Sequence, residues 1–403
     1  MSRKLDASLK KIDNLFDKCY EKGINPNGKD KRWSENTRNT YADMVKAFAR
    51  DYHEAYGVAD ITKMNDEGKI NQLVQNRIDN YHGGKTSESY TLKTLVSALK
   101  AFNHGVANTN VFKKEFTLGN ADEMRKTMKE QYVIRSSKTS STLRATPKDC
   151  QSVLDNIKNS GNNVKTREIA YHVGKISMLT GGRISNILKL KASDFTIDKK
   201  TNEIHFIKDK GGLSRTVKID KETADYLGKL REGKKENERL FSSVRTKRDQ
   251  GTFKSTEELR KEVTKMITNA GKHLEKTVKV TVKDKNGKPK TVDVTQKFSP
   301  HSFRKSFALD RASYYLSKFD SKNAIDNYVA RRIGEDKKLK EKLDTLRDRT
   351  NRDRKDSREL KPIEYAVFFA SVDMGHFRND VITSFYTDYE EIMKYAAEEN
   401  LLG

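Results

Sequence analysis

The chain has 403 residues, which is long enough for two or three domains that each bury a core of their own. Lysine and arginine number 81 against 57 aspartate and glutamate, so the net charge is +24, and only 34% of the residues are hydrophobic. This balance favours a polyanionic partner. Nucleic acid is the first choice and a membrane surface the second, because the basic residues are spread along the chain and interleaved with aromatic ones.

Membrane insertion, secretion and disulfide scaffolding are all disfavoured. No apolar run approaches the length of a transmembrane span, and the chain opens on charged residues without a signal-peptide core. Cys19 and Cys150 lie far apart and the eight histidines form no zinc-type cluster, which argues against a disulfide framework or a structural zinc site. We therefore expect a cytoplasmic protein with no membrane partner.

The first half of the chain predicts a small helical domain. Residues 1–33 form a polar, basic extension whose role the sequence does not reveal. Residues 34–134 carry apolar side chains at three- and four-residue spacing, which is typical of packed helices. Their basic outer faces fit phosphate contact and ordinary solvation about equally. The apolar positions include Tyr41, Val45, Phe48, Ile70, Val74, Leu92, Leu95 and Leu99.

A linker separates this domain from a second one. Residues 135–147 contain almost no apolar side chains, so the second domain is predicted to cover 148–403. A helix is predicted over about 166–179. After Thr180-Gly181-Gly182, Arg183 should start another amphipathic helix, where backbone donors and a guanidinium meet. A surface arginine after a turn is the commoner explanation. The buried side of that helix should hold Ile184, Ile187, Leu188 and Leu190.

Two β-hairpins are predicted in the second domain. The first joins strands at 203–207 and 213–219 through a glycine-bearing turn that holds Lys210. That ammonium can reach outward, although most hairpin lysines only keep the turn soluble. The second covers residues 277–296 and turns at Asn286-Gly287.

A helix is predicted directly after the second hairpin. Pro300 suits its first turn, and the helix should start near His301. His301 and Arg304 are three residues apart and share a face, a pairing that suits an anionic oxygen such as that of a phosphate. An isolated pair of this kind is more often explained by packing and solvent exposure.

The rest of the chain holds a charged insertion and a late histidine and tyrosine. Residues 317–361 have the mixed charge of a solvated helix. We expect deletion of the charged run 337–358 to spare cleavage while altering assembly or DNA affinity. His376 follows Gly375, and a helix over 380–385 leads to Tyr386. The tail, residues 387–403, carries a predicted apolar stripe of Ile392, Met393, Tyr395 and Ala396.

Taken in order, these motifs resemble the tyrosine recombinase (phage integrase) family. The resemblance covers about residues 150–390, and the helical domain with Ser34-x-x-Thr37-x-x-x-Tyr41 looks like that family's core-binding domain. The motifs are Leu179-Thr-Gly-Gly-Arg-Ile-Ser185, Asp209-Lys-Gly-Gly212, Pro300-His-Ser-Phe-Arg304 and Met374-Gly-His376 through Tyr386. The resemblance implies catalytic roles for Arg183, Lys210, His301, Arg304, His376 and Tyr386.

The resemblance also implies a fold and an activity. The fold would be mainly α with small antiparallel β elements (α+β), its two domains forming a C-shaped clamp on DNA. The activity would be site-specific recombination of double-stranded DNA at specific sites, by a homo-tetramer that passes through a 3′-phosphotyrosine and a Holliday junction. Neither a cofactor nor a metal is expected. Accessory DNA-bending factors and a bacterial, phage or mobile-element source with nucleoid association fit the same expectation.

The implied roles make chemical sense. Arg183 and Arg304 would bind the oxygens of the transition state, because a guanidinium group is planar and stays charged at neutral pH. His376 would add a third hydrogen-bond donor. Tyr386 would attack phosphorus, with His301 as its base. Lys210 would protonate the leaving 5′ oxygen, as its family counterpart is thought to do.

Two other classes of protein share this pattern in part. A DNA-binding regulator could keep the fold and lose strand exchange, but such a loss should damage one of the six residues. A type IB topoisomerase or a telomere resolvase uses the same chemistry, although the particular residues in these motifs favour an integrase. The target site, and the choice between integration, excision and multimer resolution, are not encoded in these motifs.

Overall fold

The computed structural model describes residues 2–27, 33–85, 88–133, 140–161, 163–197, 202–207, 214–241, 255–352 and 356–401. The fold is mainly helical with small antiparallel sheets, as predicted. No helix in these ranges combines the length and apolar character that a membrane span requires. The chain divides into two compact units: residues 1–139 with 279–294, and residues 140–278 with 295–403.

The first unit is a helical bundle around an apolar core. Its first helix packs into the same core as the rest, since Ile12, Leu15 and Phe16 are fully buried. Side chains of Ser2 and Ser34 accept backbone N–H groups at two of the helix starts, which satisfies donors that a helix start leaves open. The helices are α1 Arg3–Lys22, α2 Glu35–Tyr56, α3 Glu67–His82, α4 Glu88–Asn108 and α5 Ala121–Glu130.

The second predicted hairpin is present as β4 (Glu275–Lys283) and β5 (Pro289–Lys297). Gly287 takes a φ of +80° in its turn, a conformation that favours glycine. The outer part of the hairpin belongs to the first unit. There the Lys283 ammonium lies 5.0 Å from the centre of the Tyr132 ring.

The second unit is organised around one long helix, α11, which packs against α7, α14 and α16. A three-stranded antiparallel sheet lies in this unit in the order β1-β2-β3, with Ile204 paired to both Phe195 and Val217. The helices are α6 Pro147–Asn159, α7 Val164–Thr180, α8 Ile184–Ile187, α9 Lys221–Arg231, α10 Thr256–Ala270, α11 Pro300–Lys318, α12 Lys322–Glu335, α13 Lys338–Asn351, α14 Pro362–Asp373, α15 Asn379–Phe385 and α16 Tyr389–Glu398. The strands are β1 Phe195–Ile197, β2 Asn202–Phe206 and β3 Arg215–Lys218.

Local structure differs from the sequence expectation in two places. The helix expected after Arg183 is the single turn α8, because the chain straightens and Leu190 accepts a backbone hydrogen bond from Leu240. Strand β1 was not predicted; it is three residues long and shows no alternation that periodicity can detect.

The insertion and the tail are more deeply packed than their charge indicates. Leu339 and Leu343 of α13 are 2% and 1% exposed, so the insertion is part of the core of the second unit. Helix α16 buries Ile392, Tyr395 and Ala396, and Ser313 of α11 donates a hydrogen bond to the Ile392 carbonyl. Met393 is exposed and does not belong to that stripe, in contrast to the prediction.

Candidate active site

Arg304 is buried at the centre of the second unit. The side chain is 1% exposed and comes from the second turn of α11. One terminal nitrogen donates a hydrogen bond to the carbonyl of Gly181, and Nη2 donates to Tyr386 Oη at 3.3 Å. This guanidinium therefore joins two of the predicted motifs, the double-glycine turn and the late tyrosine.

Tyr386 lies at the C-terminal end of α15 and points into the protein, with only 4% of it exposed. Its Oη lies 3.1 Å from Nε2 of His376. Its ring centre is 5.2 Å from that of His301 and 5.5 Å from that of His376. The phenol thus lies among three of the residues that the resemblance selects.

A tight turn holds His376 in place. Gly375 has a φ of +74° and Phe377 a φ of +55°, so a left-handed residue lies on each side of the histidine. The His376 N–H donates to the carbonyl of Ser371 at 2.8 Å, and the Ser371 hydroxyl donates to the Arg378 carbonyl at 2.9 Å. The ring is therefore presented by a turn that is fastened to the end of α14.

The surroundings of His301 favour the neutral form of its imidazole. Surrounding protein displaces water from the ring, and nearby positive charges, Arg304 first, add to this effect; together they lower the pKa of His301 to about 3. Part of the side chain is nevertheless exposed, so the ring can still meet a ligand. The groups that lower its pKa are Arg304, Lys305, Arg183 and His376, so Arg183 belongs to the same cluster.

The structure thus gathers Arg183, His301, Arg304, His376 and Tyr386. Arg183 caps the start of α8, directly after the Thr180-Gly181-Gly182 turn. Gly181 is required there, since its φ is +62° and a Cβ would come within 2.6 Å of the Phe307 ring. Lys210 lies outside the residues that the structure describes.

Arg215 is a buried residue that belongs to none of the sequence motifs. It lies in β3, is 8% exposed, and donates hydrogen bonds to the carbonyls of Asp373 and, at 3.1 Å, Gly181. Its guanidinium carbon lies 4.3 Å from the centre of the Phe206 ring. Arg215 therefore ties the turn before Arg183 to the turn before His376. A cation at an inward position of a strand, two residues before Val217, was the available signal.

Asp373 provides a second buried link that the sequence did not reveal. Its Oδ2 accepts hydrogen bonds from Arg311 Nε and from the Tyr315 hydroxyl, each at 2.7 Å. Asp373 is the last residue of α14 and is 3% exposed. An acidic residue at the C-terminal end of a mostly apolar helix was the available sequence signal.

The segment before α6 is fastened to the segment after Tyr386. Arg144 Nη1 lies 2.6 Å from Asp388 Oδ2 and 2.9 Å from Glu391 Oε2. Lys305 is 3% exposed and donates to the Thr142 carbonyl at 2.6 Å. Burial, and next the charge of Arg144, lower the pKa of Lys305 to about 8.

The second tyrosine of this region, Tyr389, has different surroundings. It starts α16 and is 38% exposed. Burial of its hydroxyl region, followed by the charge of Glu364, raises the pKa of Tyr389. Among the described residues, the tyrosine hydrogen bonds of Arg304 and His376 both go to Tyr386.

Comparison with known protein families identifies the segment that holds most of this site. Residues 143–313 match the model of the Phage integrase family. The chain carries a phage integrase family domain. The resemblance that the motifs predicted is confirmed, and the matched integrase segment includes Arg183, Lys210, His301 and Arg304. His376 and Tyr386 follow it, and the structure brings both to Arg304.

Solved structures of three recombinases and integrases are similar to the chain at low levels. The XerH site-specific recombinase bound to a palindromic difH substrate shares 15% identity, covers 99% of this chain and 98% of its own, and has a TM-score of 0.48. The Tn1549 transposon integrase (aa 82-397) with circular intermediate DNA shares 12%, covers 95% and 98%, and scores 0.40. The integrase of mycobacterium phage Brujita shares 13%, covers 76% and 80%, and scores 0.26. These scores are too low to support a particular function, and the curated proteins gave no sequence match.

Proposed function

We propose that this protein is a site-specific DNA recombinase that cuts and rejoins DNA through a 3′-phosphotyrosine formed on Tyr386. The observation that carries the proposal is the position of Tyr386 Oη, which lies 3.3 Å from Arg304 Nη2 and 3.1 Å from His376 Nε2. A nucleophile and two groups that can hold phosphate oxygens thus meet at one point, as attack on a phosphodiester requires.

Electrostatic stabilisation would come from the arginines. The pentacoordinate transition state concentrates negative charge on the equatorial oxygens. Arg304 is buried, where its charge is little screened, and Arg183 is close enough to shift the pKa of His301. On DNA binding, a phosphate oxygen would take the donor of Arg304 that Tyr386 now occupies.

Proton transfer would be shared between two groups. As the bond between Tyr386 Oη and phosphorus forms, the phenol proton passes to His301, whose lowered pKa leaves the ring unprotonated. The negative charge of the bound phosphate would raise that pKa and so make the ring a stronger base. The bond between phosphorus and the 5′ oxygen breaks, and Lys210 gives that oxygen a proton. In the rejoining step the 5′ hydroxyl of another strand attacks, and Tyr386 leaves as a phenol.

The wider cycle follows the family. Four protomers would assemble on two DNA sites, exchange strands through a Holliday junction, and serve the integration or excision of a mobile element. The net charge of +24 would draw the chain to DNA before any specific contact forms. Both units would contact the duplex.

A trapping experiment tests this function without knowledge of the target site. The full chain is incubated with a pool of randomised DNA duplexes, each nicked so that cleavage releases a short fragment and cannot be reversed. Covalent complexes that survive denaturation are collected and sequenced, with Tyr386→Phe as the control. We expect adducts that share a sequence and depend on Tyr386. DNA binding without any adduct would overturn the recombinase assignment and favour a DNA-binding regulator.

A further inference from the structure

The charged insertion lines a cavity beside the candidate active site. The cavity has a volume of about 750 Å³, and its lining includes one face of α13 and the turn that carries His376. The α13 residues in the lining include Lys342, Thr345 and Arg349, which are spaced three and four residues apart and so share a face. The insertion therefore reaches the site, although it is remote from the motifs in sequence.

This wall of the cavity is firmly attached to the rest of the second unit. Leu339 and Leu343 anchor the adjacent face of α13 in the core. Beyond the helix, the guanidinium of Arg358 forms two hydrogen bonds of 2.6 Å with the carboxylate of Glu364 in α14. The cationic face of α13 is thus presented by a packed helix and not by a loose surface segment.

The cavity has an excess of positive charge. Lys342, Arg349, Arg352 and Arg378 line it against one carboxylate, that of Asp380. Asp380 is paired with Arg378, whose Nε lies 3.0 Å from its Oδ1. This pairing, and more weakly the charge of Arg349, lower the pKa of Asp380. Within the described residues, Arg349 and Arg352 form no ion pair, so their charges are available to an anion.

We propose that this cavity binds a backbone phosphate of DNA next to the phosphate that is cleaved, with Arg349 as its main donor. The inference rests on the proposed function, since it takes the cleaved phosphate to lie at Tyr386. His376 links the two places: it lines the cavity, and its Nε2 lies 3.1 Å from Tyr386 Oη. A strand held at Tyr386 would therefore place a neighbouring phosphate near α13, and guanidinium forks suit phosphate oxygens.

The test compares two single charge removals on the same helix. Binding of a short mixed-sequence DNA duplex to the full chain is measured across a range of salt concentrations for wild type, Arg349→Gln and Lys340→Gln. Lys340 is exposed and lies outside the cavity, so its loss controls for net charge. Each phosphate contact contributes about 0.9 to the slope of log K against log salt. We expect Arg349→Gln to reduce the slope by about 0.9 and Lys340→Gln to leave it unchanged.

The outcomes separate this inference from the proposed function. Equal slopes for wild type and Arg349→Gln, in proteins that still form the Tyr386 adduct, would overturn the cavity assignment alone. An unchanged slope together with altered self-association would assign the cavity to an acidic segment of another copy, and also overturns it. If wild type forms no adduct yet binds DNA with the expected slope difference, the recombinase assignment falls. The phosphate site at Arg349 then stands, but its place beside a cleaved phosphate does not.

Discussion

The two units of this protein differ in the kind of polar side chain that they bury. In the described part of the first unit, the buried polar side chains are the uncharged Ser8, Asn25 and Ser89. The second unit buries charged side chains as well, and several of them hold or form the candidate site. Burying a charge costs stability unless it is well paired, so a unit that does this repeatedly is organised for chemistry as well as for folding. These side chains are Asp194, Arg215, Arg304, Lys305, Glu364 and Asp373.

The difference also explains where each unit is vulnerable. The first unit is a bundle held by apolar packing, so it should tolerate substitutions at its surface. Truncation of a core side chain there should lower stability without changing the reaction at the candidate site. A unit held by guanidinium groups on carbonyl oxygens should lose geometry at the site when one of them is removed. Single substitutions in each unit can distinguish these two kinds of response.

The nucleophile gives the sharpest test. Tyr386→Phe should abolish the covalent protein-DNA adduct and leave DNA binding intact, because only the attacking oxygen is lost. Tyr389→Phe is the matched control and should retain the adduct, since Tyr389 lies outside the Arg304 and His376 contacts. The readout is denaturing electrophoresis of trapped complexes, followed by mapping of the DNA-linked peptide. A linkage mapped to Tyr389 would reverse the assignment.

The two arginines should have the next largest effect. Arg304→Ala and Arg183→Ala should each slow cleavage at least ~100-fold while DNA is still bound, the usual loss for one transition-state donor. Single-turnover cleavage of the trapped substrate measures this. Arg304→Lys keeps the charge but not the planar fork, and should recover only part of the rate. Wild-type cleavage by either alanine variant would place that arginine outside the site.

Arg215 should affect stability and chemistry together. Arg215→Ala removes the hydrogen bonds to the Asp373 and Gly181 carbonyls, which should lower the free energy of unfolding by about 1–3 kcal/mol. It should also slow adduct formation, because the turns before Arg183 and His376 lose the side chain that connects them. Leu99→Ala in the first unit should cost about 2–5 kcal/mol without change in the adduct rate of the bound complex. Urea unfolding and single-turnover cleavage measure the two quantities. Equal adduct rates for the two variants would show that Arg215 is only structural.

At neutral pH, His301 should have the smallest effect on stability, and that effect should grow as the pH falls. An unfolded histidine gains a proton near pH 6.5, whereas the folded His301 does so only near its pKa of about 3. Between these values the unfolded state binds more protons, so stability that is present above pH 6.5 is lost as the pH falls. Wild type should therefore lose stability toward acid more steeply than His301→Asn in urea unfolding. A constant difference between the two proteins over that interval would contradict the neutral imidazole.

The sequence determined much of this protein through local signals. Apolar spacing predicted the bundle and α7, alternation and Asn286-Gly287 predicted the second hairpin, and Pro300 predicted the start of α11. These features depend on neighbours within a few residues, so periodicity and turn chemistry suffice. The order of the motifs also selected residues that the structure brings together, because each motif combines a local turn with a reactive side chain.

Only the tertiary structure showed which side chains support the site residues and which side chains line the neighbouring cavity. Arg215, Asp373 and Arg144 act across long stretches of chain, on carbonyls or carboxylates that local pattern does not connect to them. The insertion resembled a solvated helix because charged residues outnumber its few leucines, yet Leu339 and Leu343 are buried and its cationic face lines a cavity with His376. Burial of so few side chains depends on a matching surface elsewhere in the chain, and only the folded chain supplies that surface.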